Sequence, residues 1–401
     1  MIERPHYLNR LRRLANNGLV KVLTGMRRAG KSGILRLFAQ DLMERGTDPN
    51  DIVRVDLENI DQLQLREPHE LLGYVRSRYQ HAHTCYVMID EAQEAEGIAE
   101  VAYTLLEDGC CDLYLTGSHA RLVEQKLARA LAGRFVEVPV FPLSFAEYHN
   151  AHAARGSSSS TANLFQRYLT HGGLPCSMAF EEDEHALYDY LGGVYHTVLR
   201  LDVAALLGKE DPLLLDGIIR QLMHGLGEPI SANGLSKTLS ASGRSCSDDT
   251  VARYLDALGD SQAFYRVRRF DLRTHTLLKT QEKYYAADLG LRAPVLGTQG
   301  ASIAGTLQNV VYLELRRRYG EVHLGKHYTR TLSFVAMDAH GPAYFQVAPS
   351  VLDPQALNGA LAPLRAERDN YPKTLLTLDE VDTRSHEGIL QHNIIDWLLN
   401  T

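Results

Sequence analysis

Eight consecutive residues near the N-terminus have the types and spacing of a phosphate-binding loop. Residues 25–32 read GMRRAGKS and match the pattern GxxxxGK[ST]. Glycines in this pattern let backbone N–H groups surround phosphates, the lysine contacts the β and γ phosphates, and the final hydroxyl binds Mg²⁺. The sequence therefore predicts an ATP site in which Lys31 binds phosphate and Ser32 binds Mg²⁺. The predicted nucleotide-binding residues are Gly25, Met26, Arg27, Arg28, Ala29, Gly30, Lys31 and Ser32.

A second pattern supplies the acids that such a site needs. Residues 86–91 read YVMIDE, an apolar run of strand length that ends in two carboxylates. Asp90 is the predicted ligand of a Mg²⁺-bound water, and Glu91 is placed to polarise the attacking water as a general base. The alternative for Glu91 is a surface acid that follows a strand. A general base at position 91 makes ATP hydrolysis, and not binding alone, the expected activity.

Three residues further along the chain are candidates for contact with the transferred phosphate. The run DLYLT at 112–116 ends beside two hydroxyls, so Thr116 or Ser118 is predicted to sense the γ-phosphate from the edge of a sheet. The alternative is an ordinary turn that ends the strand. Arg134, in AGRF, is predicted to neutralise charge in the transition state, in its own subunit or in a neighbouring one. A solvated or salt-bridged surface arginine is the alternative for Arg134.

The elements that must position these residues alternate between strands and helices. Short apolar runs at 20–24 (VKVLT), 85–89 (CYVMI) and 112–116 (DLYLT) are typical of strands, and longer helix-like segments lie between them. This alternation predicts an α/β fold, with a parallel sheet covered on both faces. The first run ends directly before the phosphate-binding loop and a helical pattern follows the loop, which is the context that the motif requires.

Helical patterns dominate after residue 141. Residues 163–205 are helix-like with one break at 172–175 (GGLP), which predicts a helical lid. Three helical patterns between 212 and 258 precede strand-like runs at 263–270 and 283–287. Three helices followed by a hairpin are typical of a winged helix.

The last part of the chain mixes a helix with strands. A helical pattern at 307–319 and strand patterns near 331–337 and 343–348 predict a small α/β domain. The predicted domains are a P-loop ATPase core at 1–150, the lid at 151–208, the winged helix at 209–295 and the C-terminal domain at 296–401.

Composition and charge narrow the functional classes. The chain has 401 residues and 42 Lys and Arg against 49 Asp and Glu, a formal net charge of −7, which excludes a general nucleic-acid coat protein. Five cysteines form no CxxC pair, so neither a disulfide framework nor a zinc site is expected. The first six residues include the charged Glu3 and Arg4 where a signal peptide would need an apolar stretch, and no long apolar run occurs, which predicts a cytoplasmic protein without a membrane segment.

One local segment is basic despite the acidic total. Residues 266–283 contain six Arg and Lys against two acids, with aromatic residues interleaved, and Arg316, Arg317 and Arg318 follow later. This pattern predicts DNA contact through 266–283. A domain or partner interface is the alternative, because the predicted recognition helix begins with Ser247-Asp248-Asp249, and these acids would repel phosphates.

The order and spacing of the motifs also resemble a known family. The strings are GMRRAGKS, MIDEAQ, LTGSHA, LAGRF, FPLSFAEY, YLTHGGLP, SANGLSKTLS, YYAADLGLR and NIIDWLL. Together they resemble prokaryotic AAA-type ATP-binding proteins that end in a domain of unknown function, over nearly the whole chain. The resemblance implies an ATPase core, a lid, a winged helix and a C-terminal domain similar to restriction-endonuclease folds. It implies no particular substrate.

The C-terminal domain lacks most residues that a nuclease of that fold needs. Such an enzyme uses an acid on a helix, an aspartate on one strand and an acid-x-lysine on the next. Glu314 is the candidate for the first acid, but Ser333 stands at the aspartate position and residues 346–348 (QVA) offer neither acid nor lysine. Asp338 falls in the predicted hairpin turn. We therefore expect a degenerate nuclease-like fold without nuclease activity.

These observations predict a cytoplasmic, Mg²⁺-dependent ATPase whose nucleotide state controls its winged-helix and C-terminal domains. Its client is DNA or a protein. A homo-oligomer is also compatible with these observations, and in it Arg134 would act at the nucleotide site of a neighbouring subunit. The alternative function is a nucleotide-gated binding or scaffold module with negligible turnover.

Overall fold

The computed structural model of the chain describes most of its residues in two compact units. The described residues are 1–78, 85–118, 127–180, 182–208, 211–241, 243–244, 246–297, 302–380 and 383–400, and the side chains of 279 and 280 are not described. The first unit comprises 1–142 with 260–262, and the second comprises 143–259 and 263–401. Among the helices in these ranges, none is long and apolar enough to cross a membrane.

A parallel sheet forms the centre of the first unit. Its strands are β1 (Val20–Thr24), β2 (Ile52–Asp56), β3 (Cys85–Asp90), β4 (Cys111–Gly117) and β5 (Phe135–Pro139), in the order β2-β3-β4-β1-β5. Its helices are α1 (Pro5–Leu14), α2 (Lys31–Glu44), α3 (Pro68–Arg78), α4 (Ile98–Asp108) and α5 (Ala128–Leu131). In β4, Leu113 and Leu115 join one apolar cluster and Tyr114 joins another, so alternate side chains cover both faces. The predicted parallel α/β sheet is confirmed.

Helices begin the second unit and a large mixed sheet follows. The helices are α6 (Phe145–Ala154), α7 (Thr161–His171), α8 (Glu184–Val194), α9 (Val203–Leu207), α10 (Pro212–His224), α11 (Ala232–Ala241), α12 (Asp248–Asp260), α13 (Ala293–Leu296), α14 (Ile303–Arg318), α15 (Pro354–Ala366) and α16 (Ile394–Leu399). A π-helical stretch, Tyr195–Asp202, joins α8 to α9. Side-chain caps place several helix starts, as when Ser144 and Glu147 form a capping box at α6.

The predicted break at 172–175 is confirmed, and a buried carboxylate holds it. Asp288 Oδ2 accepts a hydrogen bond from Gly173 N at 2.7 Å, and Asp288 Oδ1 accepts one from Gly290 N at 2.8 Å. Gly172 has φ 74°, and a Cβ there would lie 1.9 Å from Asp288 Oδ1, so only glycine fits. Burial raises the pKa of Asp288 to about 7, although both N–H donors oppose this rise. The GGLP and DLGLR strings thus meet in one buried contact.

The sheet of the second unit runs through most of its later part. Its strands are β6 (Pro229–Ile230), β7 (Phe264–Asp271), β8 (Thr276–Ala286), β9 (Glu321–His327), β10 (Arg330–Asp338), β11 (Gly341–Val347), β12 (Lys373–Thr377), β13 (Arg384–His386) and β14 (Ile389–Asn393). Their order is β13-β14-β12-β11-β10-β9-β7-β8-β6. Parallel pairing of β7 with β9 joins strands on both sides of the predicted boundary at 295–296. The predicted lid, winged-helix and C-terminal ranges therefore belong to one compact unit, and their boundaries as separate domains stay a prediction.

One strand begins earlier than the sequence predicted. The strand-like runs at 263–270 and 283–287 leave residues 271–282 outside the predicted strands, but β8 starts at Thr276 and only four residues separate it from β7. Asp271 Oδ1 accepts hydrogen bonds from the backbone N–H groups of Arg273 and Thr274, and His275 has φ 53°. An aspartate-stabilised tight turn thus replaces the expected loop.

Candidate nucleotide site

The phosphate-binding loop joins β1 to α2 through positions that only glycine fills. Gly30 precedes α2 in the left-handed region, with φ 103° and ψ 19°. Gly25 lies so close to the chain after β5 that a Cβ would sit 2.2 Å from the Val140 carbonyl oxygen. The loop therefore packs closely against Val140 and leads directly into the N-terminus of α2. Free N–H groups and the positive end of the helix dipole lie there, and both favour anions.

The lysine of the loop lies back over the loop itself. Lys31 is 3% exposed, and its Nζ donates to the carbonyl oxygens of Gly25 at 2.9 Å and Met26 at 3.3 Å. Met26 and Ala29 are buried, whereas Arg28 is exposed and has φ 72°. The Lys31 ammonium therefore lies at the loop where it is predicted to contact phosphate.

The two predicted magnesium ligands are in contact with each other. Asp90 ends β3, and its carboxylate accepts hydrogen bonds from the hydroxyls of Ser32 and Thr116, the latter at 2.5 Å. Burial raises the pKa of Asp90, and these two hydroxyl donors partly oppose the rise. Carboxylate and hydroxyl oxygens are ligands that Mg²⁺ accepts, so the residues present fit the ion.

The predicted general base is buried next to Asp90. Glu91 is 7% exposed and has a left-handed backbone, with φ 50° and ψ 51°, a conformation that concentrates at functional sites in residues other than glycine. Its Oε2 accepts hydrogen bonds from Gln93 Nε2 and, at 2.9 Å, from Ser118 Oγ. Burial raises the pKa of Glu91, but the charge of Lys31 and these two donors outweigh burial and hold it below its usual value. Glu91 is therefore a fixed, ionised carboxylate.

The two hydroxyls after β4 have different partners. Thr116 is fully buried, and its Oγ1 donates to Asp90 and accepts from Glu91 N at 2.8 Å. Ser118 instead contacts the Glu91 carboxylate. Thr116 therefore holds the predicted metal-binding acid, Asp90, and Ser118 holds the predicted base, Glu91; sensing of the γ-phosphate by either residue stays a prediction. His119 and Ala120, the end of the LTGSHA string, lie outside the described residues.

Two residues that the sequence analysis did not single out also belong to this edge of the sheet. Gln93 donates to Glu91 at 2.5 Å and to Ser118 at 3.1 Å, so one amide bridges base and hydroxyl. Glu58 follows β2 and pairs with Arg27 of the loop at 3.0 Å. The sequence carries a signal for Glu58, because the alternating run IVRVD at 52–56 is typical of a strand and Glu58 comes shortly after it. Parallel strands end at the same edge of a sheet, so a residue after this strand lies near the phosphate-binding loop.

Comparisons with known proteins agree with the predicted ATPase fold. Residues 17–149 match the family model of the AAA domain, and residues 162–302 match a domain of unknown function (DUF8612). An uncharacterized protein of Haemophilus influenzae is 30% identical over 400 residues, which are 100% of this chain and 99% of that protein. An uncharacterized protein of Methanocaldococcus jannaschii is 25% identical over 318 residues, 75% of this chain and 67% of that protein. The chain belongs to the AAA-type P-loop ATPase family.

A solved structure supports the fold of this AAA-type protein. The Walker-type ATPase of Pyrococcus abyssi aligns with 74% of this chain and 96% of its own, with a TM-score of 0.53 and 17% identity. At that identity the likeness shows the fold alone. The family resemblance that the sequence motifs suggested is confirmed.

The structure does not bring Arg134 to the nucleotide site of its own chain. Its carbonyl accepts a hydrogen bond from Val20 N at 3.1 Å, where β1 begins, whereas the phosphate-binding loop follows Thr24 at the other end of β1. Five strand residues span roughly 16 Å. The guanidinium pairs with Glu107 at 2.5 Å and lies over the Tyr103 ring, with 5.1 Å to the centroid. A role within its own subunit is therefore not supported, and a role in a neighbouring subunit stays a prediction.

Two arginines of the basic segment are paired inside the protein. Arg266 lies 2.9 Å from Asp256 and 3.7 Å from Glu282, and Arg268 lies 3.4 Å from Glu282. The side chain of Lys279, another predicted phosphate contact, lies outside what the structure describes. Acidic neighbours reduce the charge that this surface can offer to DNA.

The predicted nuclease acid pairs with two arginines of the later cluster. Glu314 is 2% exposed and pairs with Arg317 at 3.2 Å and Arg318 at 2.7 Å. Arg316 donates to the Tyr312 hydroxyl at 3.2 Å. Residues 316–318 therefore support the packing of α14, and the two ion pairs of Glu314 compete with its predicted role as a metal ligand.

Proposed function

We propose that this AAA-type protein binds ATP with Mg²⁺ and hydrolyses the bond between the β and γ phosphates. The observation that carries the proposal is the convergence of Lys31, the Ser32–Asp90 contact and the buried, ionised Glu91 at one edge of the parallel sheet. Ser32 and Asp90 would hold Mg²⁺, which when bound neutralises charge on the phosphates. Lys31 adds a positive charge from the loop.

Glu91 is the group that we assign to the attacking water. Gln93 and Ser118 fix its Oε2, whereas its Oε1 accepts no hydrogen bond from the described residues. Oε1 can therefore orient a water for attack on the γ-phosphorus and receive its proton as the bond to the β-phosphate oxygen breaks. Positioning matters more than basicity in this reaction, so a carboxylate of lowered pKa is adequate.

A second candidate function is a nucleotide-gated binding module with negligible turnover. The same lowered pKa favours it, because Glu91 is a weak proton acceptor and one of its oxygens is already engaged by two donors. Equilibrium binding of ATP separates the roles of the two motifs. Lys31→Ala should abolish nucleotide binding, whereas Glu91→Gln should retain it. Equal ATP affinity in wild type and Lys31→Ala would reject the assigned phosphate site.

We also propose that α10–α12 and β6–β8 form a winged helix controlled by the nucleotide state. Support comes from their order of helix, strand, two helices and hairpin, and from the pairing of β6 with β8. The client is DNA or a protein. The internal pairing of Arg266 and Arg268 favours a protein client over DNA. Measuring steady-state phosphate release with and without duplex DNA tests this, and stimulation that depends on DNA would favour DNA.

A further inference from the structure

A polar cavity of about 270 Å³ lies in the second unit beside β10 and β11. Ser333 and Gln346, which stand where a nuclease of the resembled fold would carry acids, both line it. Lys283 and Gln308 line it from β8 and α14. One water occupies roughly 30 Å³ in the liquid, so the cavity has room for a ligand of several atoms.

The protein itself uses the acceptor oxygens of both glutamines. Gln346 Oε1 accepts from Ser333 N at 3.0 Å and from Ser333 Oγ at 3.3 Å. Gln308 Oε1 accepts from Lys283 Nζ at 3.1 Å and from the Tyr285 hydroxyl at 3.2 Å. These donors fix both amide orientations, because a flipped amide would place N–H against N–H or ammonium. Within the described residues, neither Nε2 has an acceptor, so both amides offer unused donors.

Among the described residues, the ammonium of Lys283 at this cavity also lacks a close counter-ion. Lys283 forms no ion pair with any residue that the structure describes, and its Nζ has one neutral acceptor, Gln308. Burial lowers the pKa of Lys283, and Glu228, which also lines the cavity, only partly opposes this effect. With Arg269 at the same cavity, two cations face one carboxylate, a formal charge of +1. A half-buried ammonium of this kind is stabilised by an anion.

We propose that this cavity binds a small oxyanion of the phosphate class, held by Lys283 and by the amide donors of Gln308 and Gln346. A ligand that offers only acceptors matches the unused donors. Two cations against a single carboxylate disfavour a divalent metal, which prefers converging carboxylates. The proposal is independent of ATP hydrolysis, because every residue in it belongs to the second unit.

Titration of the full-length protein with inorganic phosphate tests the proposal. The parent protein carries Lys31→Ala, so that the phosphate-binding loop does not contribute a second site. Lys283→Met keeps the apolar stem and removes the charge, and Gln346→Glu replaces an amide donor by a like charge of the same shape. Losing a hydrogen bond to a charged group should weaken phosphate about ten- to hundred-fold. Lys237→Met, on an exposed face of α11, is the matched control and should bind as the parent does.

Two outcomes would overturn the proposal. One is absence of phosphate binding in the parent, or affinity unchanged in both cavity variants. The other comes from a parallel titration with a short DNA duplex: binding of DNA alone, lost in Lys283→Met, would assign the cavity to a nucleic-acid backbone instead. Thermal unfolding of each variant identifies one that fails to fold, and the other variant then decides.

Discussion

Replacing Thr116 by valine tests how the structure positions the metal-binding acid. Valine has the same shape but no hydroxyl, so no cavity forms while both hydrogen bonds of Thr116 are lost. Losing a hydrogen bond to an ionised carboxylate costs about 1.5–3 kcal/mol, and leaving the buried Glu91 N–H without a partner costs about 1–3 kcal/mol. Losing the hydrogen bond to Asp90 should raise the Mg²⁺ concentration that gives half-maximal turnover about ten-fold or more.

The pH dependence of the Thr116→Val variant should change in a defined direction. The Thr116 hydroxyl opposes the rise that burial causes in the pKa of Asp90, so its removal raises that pKa further. Mg²⁺ needs the ionised carboxylate, and the acid side of the activity profile should therefore move to higher pH. ATP hydrolysis measured across Mg²⁺ concentration and pH, together with a thermal unfolding midpoint, provides the assay.

Ser118→Ala is the matched control for Thr116→Val. It removes a hydroxyl that contacts Glu91 and not Asp90, so turnover should fall while the Mg²⁺ requirement stays at the wild-type value. An unchanged Mg²⁺ requirement and pH profile in Thr116→Val, or the same Mg²⁺ effect in both variants, would refute the assigned division of roles.

Further predictions concern three other sites. If Arg134 acts in a neighbouring subunit, turnover per subunit should rise with protein concentration and Arg134→Ala should lose turnover without losing ATP binding; constant turnover in a demonstrated monomer excludes this. Asp288→Asn should lower stability by about 1–3 kcal/mol at pH 4, because one of the Gly173 and Gly290 N–H groups would face an amide N–H. The pKa of Asp288 is raised to about 7, so its contribution to the free energy of unfolding is complete below about pH 4 and is lost as the pH rises to 7. Denaturation of both proteins should therefore show the stability difference between wild type and Asp288→Asn shrinking between pH 4 and pH 7. Prolonged incubation with linear, supercoiled and single-stranded DNA and Mg²⁺ or Mn²⁺ should show no cleavage; cleavage that disappears in Glu314→Gln would restore a nuclease role.

The sequence predicted the parts of the site that depend on local order. Residues 25–32 and 86–91 carry their predicted roles in adjacent positions, the first directly after an apolar strand and the second at the end of one, so the phosphate-binding loop and the two acids could be located without the tertiary structure. The contact between Ser32 and Asp90 follows from parallel strands that end at one edge.

Features that depend on strand order and on paired side chains were not predicted. Arg134 lies only 17 residues after Gly117, but β5 begins beside the start of β1, so the residue lies far from the loop. The alternating pattern of β2 was detectable but too short to stand out, and the amide of Gln93 gave no distinct pattern. The arginines at 316–318 resembled a binding patch, although their i,i+3 and i,i+4 spacing from Glu314 on a predicted helix already indicated ion pairs with two of them.

The most direct test of the central assignment is Mg²⁺-dependent phosphate release from ATP by wild type, Lys31→Ala and Glu91→Gln, with ATP binding measured on the same preparations. We expect turnover in wild type only, and ATP binding in wild type and Glu91→Gln. Turnover in Glu91→Gln equal to that of wild type would contradict the assignment of Glu91 as the base at this site.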